Sequence, residues 1–271
     1  MAKQPEGPPP PPTVQRVRLR YTKRGRLRFT SHRDIARAFE RALRRARVPM
    51  AYSAGFSPHP KISWVGATPT GVASEAEYVE IGLAERTDLD QLRAALDESL
   101  PVGIDVVEAV EAPAGTSLPD RIEASLWTVR LPGVDPADAA RAVELFLAAE
   151  AVPVERLTKK GMRAMDAREP VRDMRVVDED RDPGVLCATL QVVVRHVTPA
   201  VRPDDVLSGL RSVADLVPPL PPEAIRLAQG PLSETGEVGD PLAPDRAEPG
   251  TGATRQDAAP AKAAAGAESS G

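Results

Sequence analysis

Cysteine is nearly absent from this chain: Cys187 stands alone among 271 residues. One thiol excludes an intramolecular disulfide and a metal cluster held by several cysteines. Cys187 lies in the apolar run 185–194 and reads as a buried strand residue. Histidine is scarce too, and His32, His59 and His196 lack the spacing of zinc ligands, so no metal is expected. There is no Walker or dinucleotide-binding fingerprint; Gly25, Gly55, Gly71 and Gly161 read as turn residues, and no cofactor is expected. No apolar stretch approaches the ~20 residues that cross a bilayer, and the polar, proline-rich start is not a signal peptide. A cytoplasmic location without membrane association is the expectation.

What the chain does have is charge, unevenly placed. Residues 14–64 hold fourteen Lys or Arg against two acids, Asp34 and Glu40, although the formal net charge is -4. Residues 75–125 reverse this, with thirteen acids against Arg86, Arg93 and Arg121. One face of the molecule should therefore be a basic field. Such a field concentrates anions and speeds their association, and the commonest large polyanion inside a cell is nucleic acid.

The hydrophobic pattern gives an α+β protein. Residues 14–21 alternate as a strand with a basic face, and Ser31 with Asp34 opens a helix in the manner of a capping box. Ile35, Ala38, Phe39, Ala42, Leu43 and Ala46 then repeat at helical spacing until Pro49, with Arg37, Arg41, Arg44 and Arg45 on the outer side. Strands at 61–65 and 78–83, a helix from about residue 88 and a strand at 104–109 complete the order β-α-β-β-α-β. The order recurs as strand 124–131, helix 136–149, strands 152–157 and 185–194, helix 203–216 and a last strand near 224–227. The expected fold is two tandem ferredoxin-like units, 14–111 and 120–229. The termini, 1–13 and 230–271, are expected to be disordered and the tail dispensable for stability. Two polar interruptions, 53–60 and 158–182, are expected to carry function or disorder.

Several motifs carry a resemblance. The run S-H-R-D at 31–34, G-F-S-P-H-P-K at 55–61, P-T-G-V-A-S-E-A-E-Y at 69–78 and K-G-M-R-A-M-D-A-R at 160–168 resemble the radical-SAM-linked family, over roughly residues 14–215. Members of that bacterial family, of unknown function, are encoded beside or fused to a radical SAM protein. The resemblance implies such a protein as partner. The chain itself lacks the three-cysteine cluster motif and is not that enzyme. A weaker, architectural resemblance is to the CRISPR-repeat endoribonucleases, in which a His, helped by Lys or Tyr, moves protons during attack of a ribose 2′-hydroxyl on phosphate. By that resemblance His32 is a catalytic candidate, with Tyr21, Lys23, Tyr52 and Lys61 as neighbours. The glycine-rich loop near the C-terminus of those enzymes is missing.

The candidate nucleic-acid-binding residues are Lys23, Arg24, Arg26, Arg37, Arg41, Arg44, Arg45, Phe56, His59 and Lys61, with Lys159, Lys160 and Arg163 as a second cluster that Arg168 and Arg172 extend. His59, held between Pro58 and Pro60, is a second catalytic candidate. It has two readings: a ligand contact that joins Phe56, Lys61 and Trp64 in holding single-stranded RNA, or a rigid turn with Phe56 and Trp64 in the core. His32 reads as a helix-start residue that bonds locally or touches an anion, and alternatively as a general acid or base. Glu75, Glu77 and Glu80 straddle Tyr78; by strand parity Glu75 and Glu77 share the face of Val79, and Glu80 the other. The expected function is an RNA-binding accessory of a radical SAM protein, acting in RNA modification. The alternatives are a metal-independent RNA-processing or RNA-modifying enzyme, and a protein-interaction module without RNA.

Overall fold

The computed structural model describes residues 11–158, 161–178 and 186–246. Strand β1 (Gln15–Lys23) sends Val17, Leu19 and Tyr21 into a core and Arg16, Arg18 and Arg20 to the opposite face. Helix α1 (His32–Arg45) starts at Ser31, whose hydroxyl oxygen accepts from the Asp34 backbone N–H at 3.3 Å and donates to the Asp34 carboxylate at 2.7 Å. Its buried residues are Ile35, Phe39, Ala42 and Leu43. Strands β2 (Ile62–Val65) and β3 (Ala73–Leu83), helix α2 (Leu89–Ser99), capped by Asp88, and strand β4 (Val106–Glu111) follow. The second half runs β5 (Ala124–Pro132), α3 (Pro136–Ala148), β6 (Pro153–Thr158), β7 (Gly161–Asp166), β8 (Val171–Val177), β9 (Cys187–Arg195), α4 (Pro203–Ala214) and β10 (Glu223–Gly230).

One eight-stranded sheet joins both halves in the order β4-β1-β3-β10-β5-β9-β8, with β2 also on β3. It is a mixed sheet. Every adjacent pair is antiparallel except β10 against β3, which run parallel over only Ile225–Ala73 and Arg226–Ser74. Two apolar cores lie on the sheet, one beneath α1 and α2 and one beneath α3 and α4. A third, smaller cluster of Val65, Ala76, Tyr78, Val110, Leu118, Ile122 and Leu242 packs in the first half.

Side chains fasten the short parallel contact. Arg226 and Glu77, 4% and 3% exposed, form an ion pair across it, and Arg226 also lies over the Trp127 ring. The Gln229 amide donates to the Ala76 carbonyl at 2.6 Å, while the loop at Gly66 runs so close that a Cβ there would sit 2.4 Å from the Gln229 Oε1. Gly66 also has φ +56°, a backbone conformation in which a larger residue is strained, and a Cβ there would push the Gln229 amide aside. His196 joins in: its Nδ1 meets the Ile122 carbonyl at 3.1 Å and its Nε2 the Ser125 hydroxyl at 2.8 Å. A carbonyl only accepts, so Nδ1 carries the proton. Burial pushes the His196 pKa down, in keeping with a neutral ring whose Nε2 accepts from Ser125.

Two expectations require correction. The strand at residues 152–157 does not enter the main sheet: β6 pairs only with β7, and β8 takes the edge beside β9. β8 was hidden because a register shift between Val171 and Asp173 breaks its alternation, leaving buried Val171 and Met174 separated by charged residues. Much of the interruption expected at 158–182 is thus strand. Residues 159–160 and 179–185 lie outside the described residues, as do 1–10 and 247–271 of the expected disordered termini.

The second correction concerns the beginning of that tail. Residues 231–246 fold back onto the first half: Leu242 is fully buried, Asp245 pairs with Arg18 at 2.6 Å and with Arg121 at 2.9 Å, and Arg246 takes both oxygens of Glu108. Deleting everything from residue 231 onward is therefore expected to cost about 2–3 kcal/mol, chiefly for the uncovered Leu242 contact. Chemical denaturation of the shortened chain measures it, and an unchanged midpoint would restore the dispensable tail.

Candidate nucleic-acid interface

Twelve of the fourteen cations of residues 14–64 separate into two groups, leaving Lys61 and Arg28, which lies 3.9 Å from Glu223. Those on and just after β1 are spent inside the protein. Arg16 directs two N–H groups at one Glu80 oxygen, and fully buried Arg18 holds the other Glu80 oxygen at 2.9 Å, Asp245 at 2.6 Å and the Thr116 hydroxyl at 2.9 Å. Arg20 donates to the Glu75 carbonyl at 3.1 Å. Lys23, expected at the interface, is 3% exposed and donates to the Pro69 carbonyl at 3.1 Å; burial lowers its pKa. Arg24 is pinned by Glu75 and Asp105, and the hydrogen bond to Glu75 holds its proton more firmly still. Strand parity correctly puts Arg16, Arg18 and Glu80 on one face, but that face neutralises itself.

The cations of α1 remain at the surface. Arg33, Arg37, Arg41, Arg44 and Arg45 are all exposed, as is Arg47 just beyond the helix and Arg26 before it. Arg37 lies 3.6 Å from Asp34, both more than half exposed, an ion pair worth little in water. Arg44 donates to the Glu40 carbonyl of its own helix and Arg45 to the Ser99 carbonyl at the end of α2. Arg26, Arg33, Arg41 and Arg47 form no ion pair among the described residues. The helix keeps this arrangement because its apolar stripe faces the sheet and leaves the opposite side to solvent.

His32, the first residue of α1, is exposed and sets its ring edge-on to Trp64, with centroids 5.2 Å apart. Trp64 also meets Tyr21 at 6.1 Å and Phe39 at 5.1 Å, so it belongs to the first core and is not offered to a ligand. Tyr21 is buried and its pKa lies well above that of free tyrosine, mainly through desolvation, so its phenol stays neutral. His32 and Tyr21 therefore sit near one another, but around an indole and without a hydrogen bond between them.

His59, Lys61 and Phe56 lie on another part of the first half. Residues 53–59 form a closed turn: the Ser53 N–H donates to the His59 carbonyl at 2.8 Å, and the His59 N–H donates to the Ser53 hydroxyl at 3.0 Å. The ends are tied by a bridge between Tyr52 and Pro60. Outside this frame the His59 side chain is exposed and Phe56 is 70% exposed. Of the two readings, the rigid turn holds for the backbone and Trp64 packs inward, while Phe56 does not. A hollow of ≈ 400 Å³ beside the turn brings His59 and Lys61 together with Arg16, Ser63 and Glu80.

The described members of the second basic cluster are placed differently. Arg163 is exposed on β7, but Arg168 caps α3 by donating to the Leu147 carbonyl at 3.1 and 3.2 Å. Lys159 and Lys160 lie outside the described residues. No group of three or more His, Cys, Asp or Glu side chains converges among the described residues. The sequence reading missed the buried Arg226–Glu77 pair and the place of Arg16 beside Lys61. Parity puts Glu77 on the face of Val79, and the burial of Val79 in the first core is the signal that could have marked Glu77 as buried and in need of a cation; nothing local names Arg226 as that cation.

An α+β protein built on one mixed sheet, with an arginine-lined helix as its main exposed cationic element, is the class that fold and surface define. The chain belongs to the family described as an uncharacterized protein conserved in bacteria (DUF2344), whose model matches residues 16–203. That span includes α1 and the 53–59 turn and stops at the first residue of α4. A comparison with curated proteins found no match. Among the described residues, no helix is long and apolar enough to cross a membrane.

Proposed function

We propose that the protein binds RNA through the exposed side of α1 and serves as an accessory to a radical SAM protein in RNA modification. The observation that carries the RNA reading is the run of exposed arginines Arg33, Arg37, Arg41 and Arg44, in a segment where the neighbouring cations are internally paired. An array of guanidinium groups along a helix is the electrostatic footprint of phosphate binding. The resemblance of the S-H-R-D and G-F-S-P-H-P-K segments to the radical-SAM-linked family supports the partner. We further read each half as a ferredoxin-like unit: in the first, β1 lies between β4 and β3 with β2 outermost, and in the second, β5 lies between β10 and β9 with β8 outermost. On this view β6 and β7 are a hairpin inserted into the second unit.

Salt dependence tests the RNA reading. Four phosphate contacts on a single strand correspond to an affinity loss of about 50-fold between about 50 and 200 mM salt. Fluorescence anisotropy with labelled RNA measures it, and binding that is absent, or that ignores salt, removes the proposal. Co-purification with the radical SAM protein encoded nearby tests the partner separately.

A further inference from the structure

Two hollows lie on either side of Pro60. One, ≈ 400 Å³, contains His59, Lys61, Arg16, Ser63 and Glu80; the other, ≈ 200 Å³, contains Tyr52, Met50 and, from the last turns of α1, Glu40, Leu43 and Arg44. The hollows share Pro60, so they form a continuous surface from the arginine helix over the edge of the sheet at β2. Tyr52 stands in that surface, 40% exposed, and its side chain makes no hydrogen bond among the described residues.

Two unpaired cations, Arg44 and Lys61, stand along the surface against one acid without an ion pair among the described residues, Glu40. Arg44 makes no ion pair, only a bond to a backbone carbonyl. Glu80, the acid of the larger hollow, is bridged by both Arg16 and Arg18. Lys61 spends one donor on the Thr13 hydroxyl at 2.8 Å and keeps its charge unpaired. Cations thus occur at both ends, with a tyrosine between them and Phe56 projecting from the adjacent turn. Aromatic faces interleaved with cations hold single strands, because every unstacked base has a face to stack and every step a phosphate to neutralise. A duplex keeps its bases stacked and offers nothing to Tyr52.

We infer that this path over Pro60 binds single-stranded RNA, with a base on Tyr52 and phosphates at Arg44 and Lys61, His59 lining the larger hollow. The inference rests on the RNA reading above and sharpens it by naming the form of RNA and the residues that select it.

The test uses the full chain, a labelled oligouridine of about 12 nucleotides and an RNA duplex of equal length, in fluorescence anisotropy. The single strand is expected to bind at least about tenfold tighter than the duplex, Tyr52→Ala to weaken single-strand binding about 5- to 100-fold, and Lys61→Ala to lower the salt slope by about 0.7. Lys61 is exposed and Tyr52 is 40% exposed, so a thermal melt of each variant checks folding; Tyr52→Phe, which retains the stacking ring, should bind like the parent. If the parent binds neither RNA, the RNA reading itself fails. If it binds, and Tyr52→Ala and Lys61→Ala bind as well as the parent, or the duplex binds as tightly as the single strand, this path is wrong while the arginine-helix reading stands.

Discussion

Replacing Arg37, Arg41 and Arg44 together with glutamate is expected to abolish measurable RNA binding while leaving the protein folded. The change removes three phosphate contacts and installs three repelling carboxylates on the same exposed helix face. Losing the contacts alone reduces affinity roughly 10²-fold or more near physiological salt, and the repulsion adds to it. The helix itself should survive, since none of the three side chains belongs to the apolar stripe of Ile35, Phe39, Ala42 and Leu43. Glutamate is a good helix former, but it would repel Glu40 and its own i,i+4 neighbour, and at position 44 it would face the negative end of the helix dipole. These effects sum to about 1–2 kcal/mol. Anisotropy and thermal melting on one preparation separate the outcomes. Undiminished binding by a folded variant would move the interface elsewhere.

The second large effect is structural. Arg226→Ala should lower stability by about 3–5 kcal/mol, because Glu77 would lose its ion-pair partner in a site where both partners are almost completely buried. The double change Arg226→Met with Glu77→Gln removes both charges and is expected to cost less than either truncation alone. The weakening should concentrate at the joint between the halves, where only two residue pairs of β3 and β10 meet. Hydrogen exchange at residues 73–77 and 224–229 would then rise before exchange in the cores beneath the helices. A variant with an unchanged unfolding midpoint and protected β10 amides would show that the pair holds nothing together.

The parts of this fold that were legible in the sequence are those governed by local chemistry. Ser31 and Asp34 announce the start of α1, and Ile35, Phe39 and Leu43 give its inward stripe within a dozen residues. The run 185–194 reads as a buried strand and is β9 within about two residues. Where the sequence misleads, a distant partner decides. Arg16 and Arg18 look like a basic surface until Glu80 and Asp245 come to lie against them, the latter 227 residues away. Leu242 is an isolated apolar residue in a polar, proline-rich segment, with no periodicity to mark its burial. For the candidate interface, the exposed arginines of α1 followed from helical spacing. The burial of Lys23 against the Pro69 carbonyl and the pairing of Arg24 with Glu75 did not, because these partners reach them only through the pairing of β1 with β3.

The meeting of β3 with the last strand also bears on how a ribosome delivers the molecule. The inner edge of β3 at Ala73–Ser74 gains its sheet neighbour only when Arg226 has been made, some 150 residues later. During that interval the nascent first half must carry an open strand edge and a Glu77 carboxylate that has the Thr68 N–H but not yet its arginine. An exposed edge is a template for pairing with other chains, and long-range closure of this kind is slow. The stage of synthesis most exposed to self-association therefore runs from completion of β4 to emergence of Gly230, and the closing strand that ends it is also the one that brings the neutralising arginine.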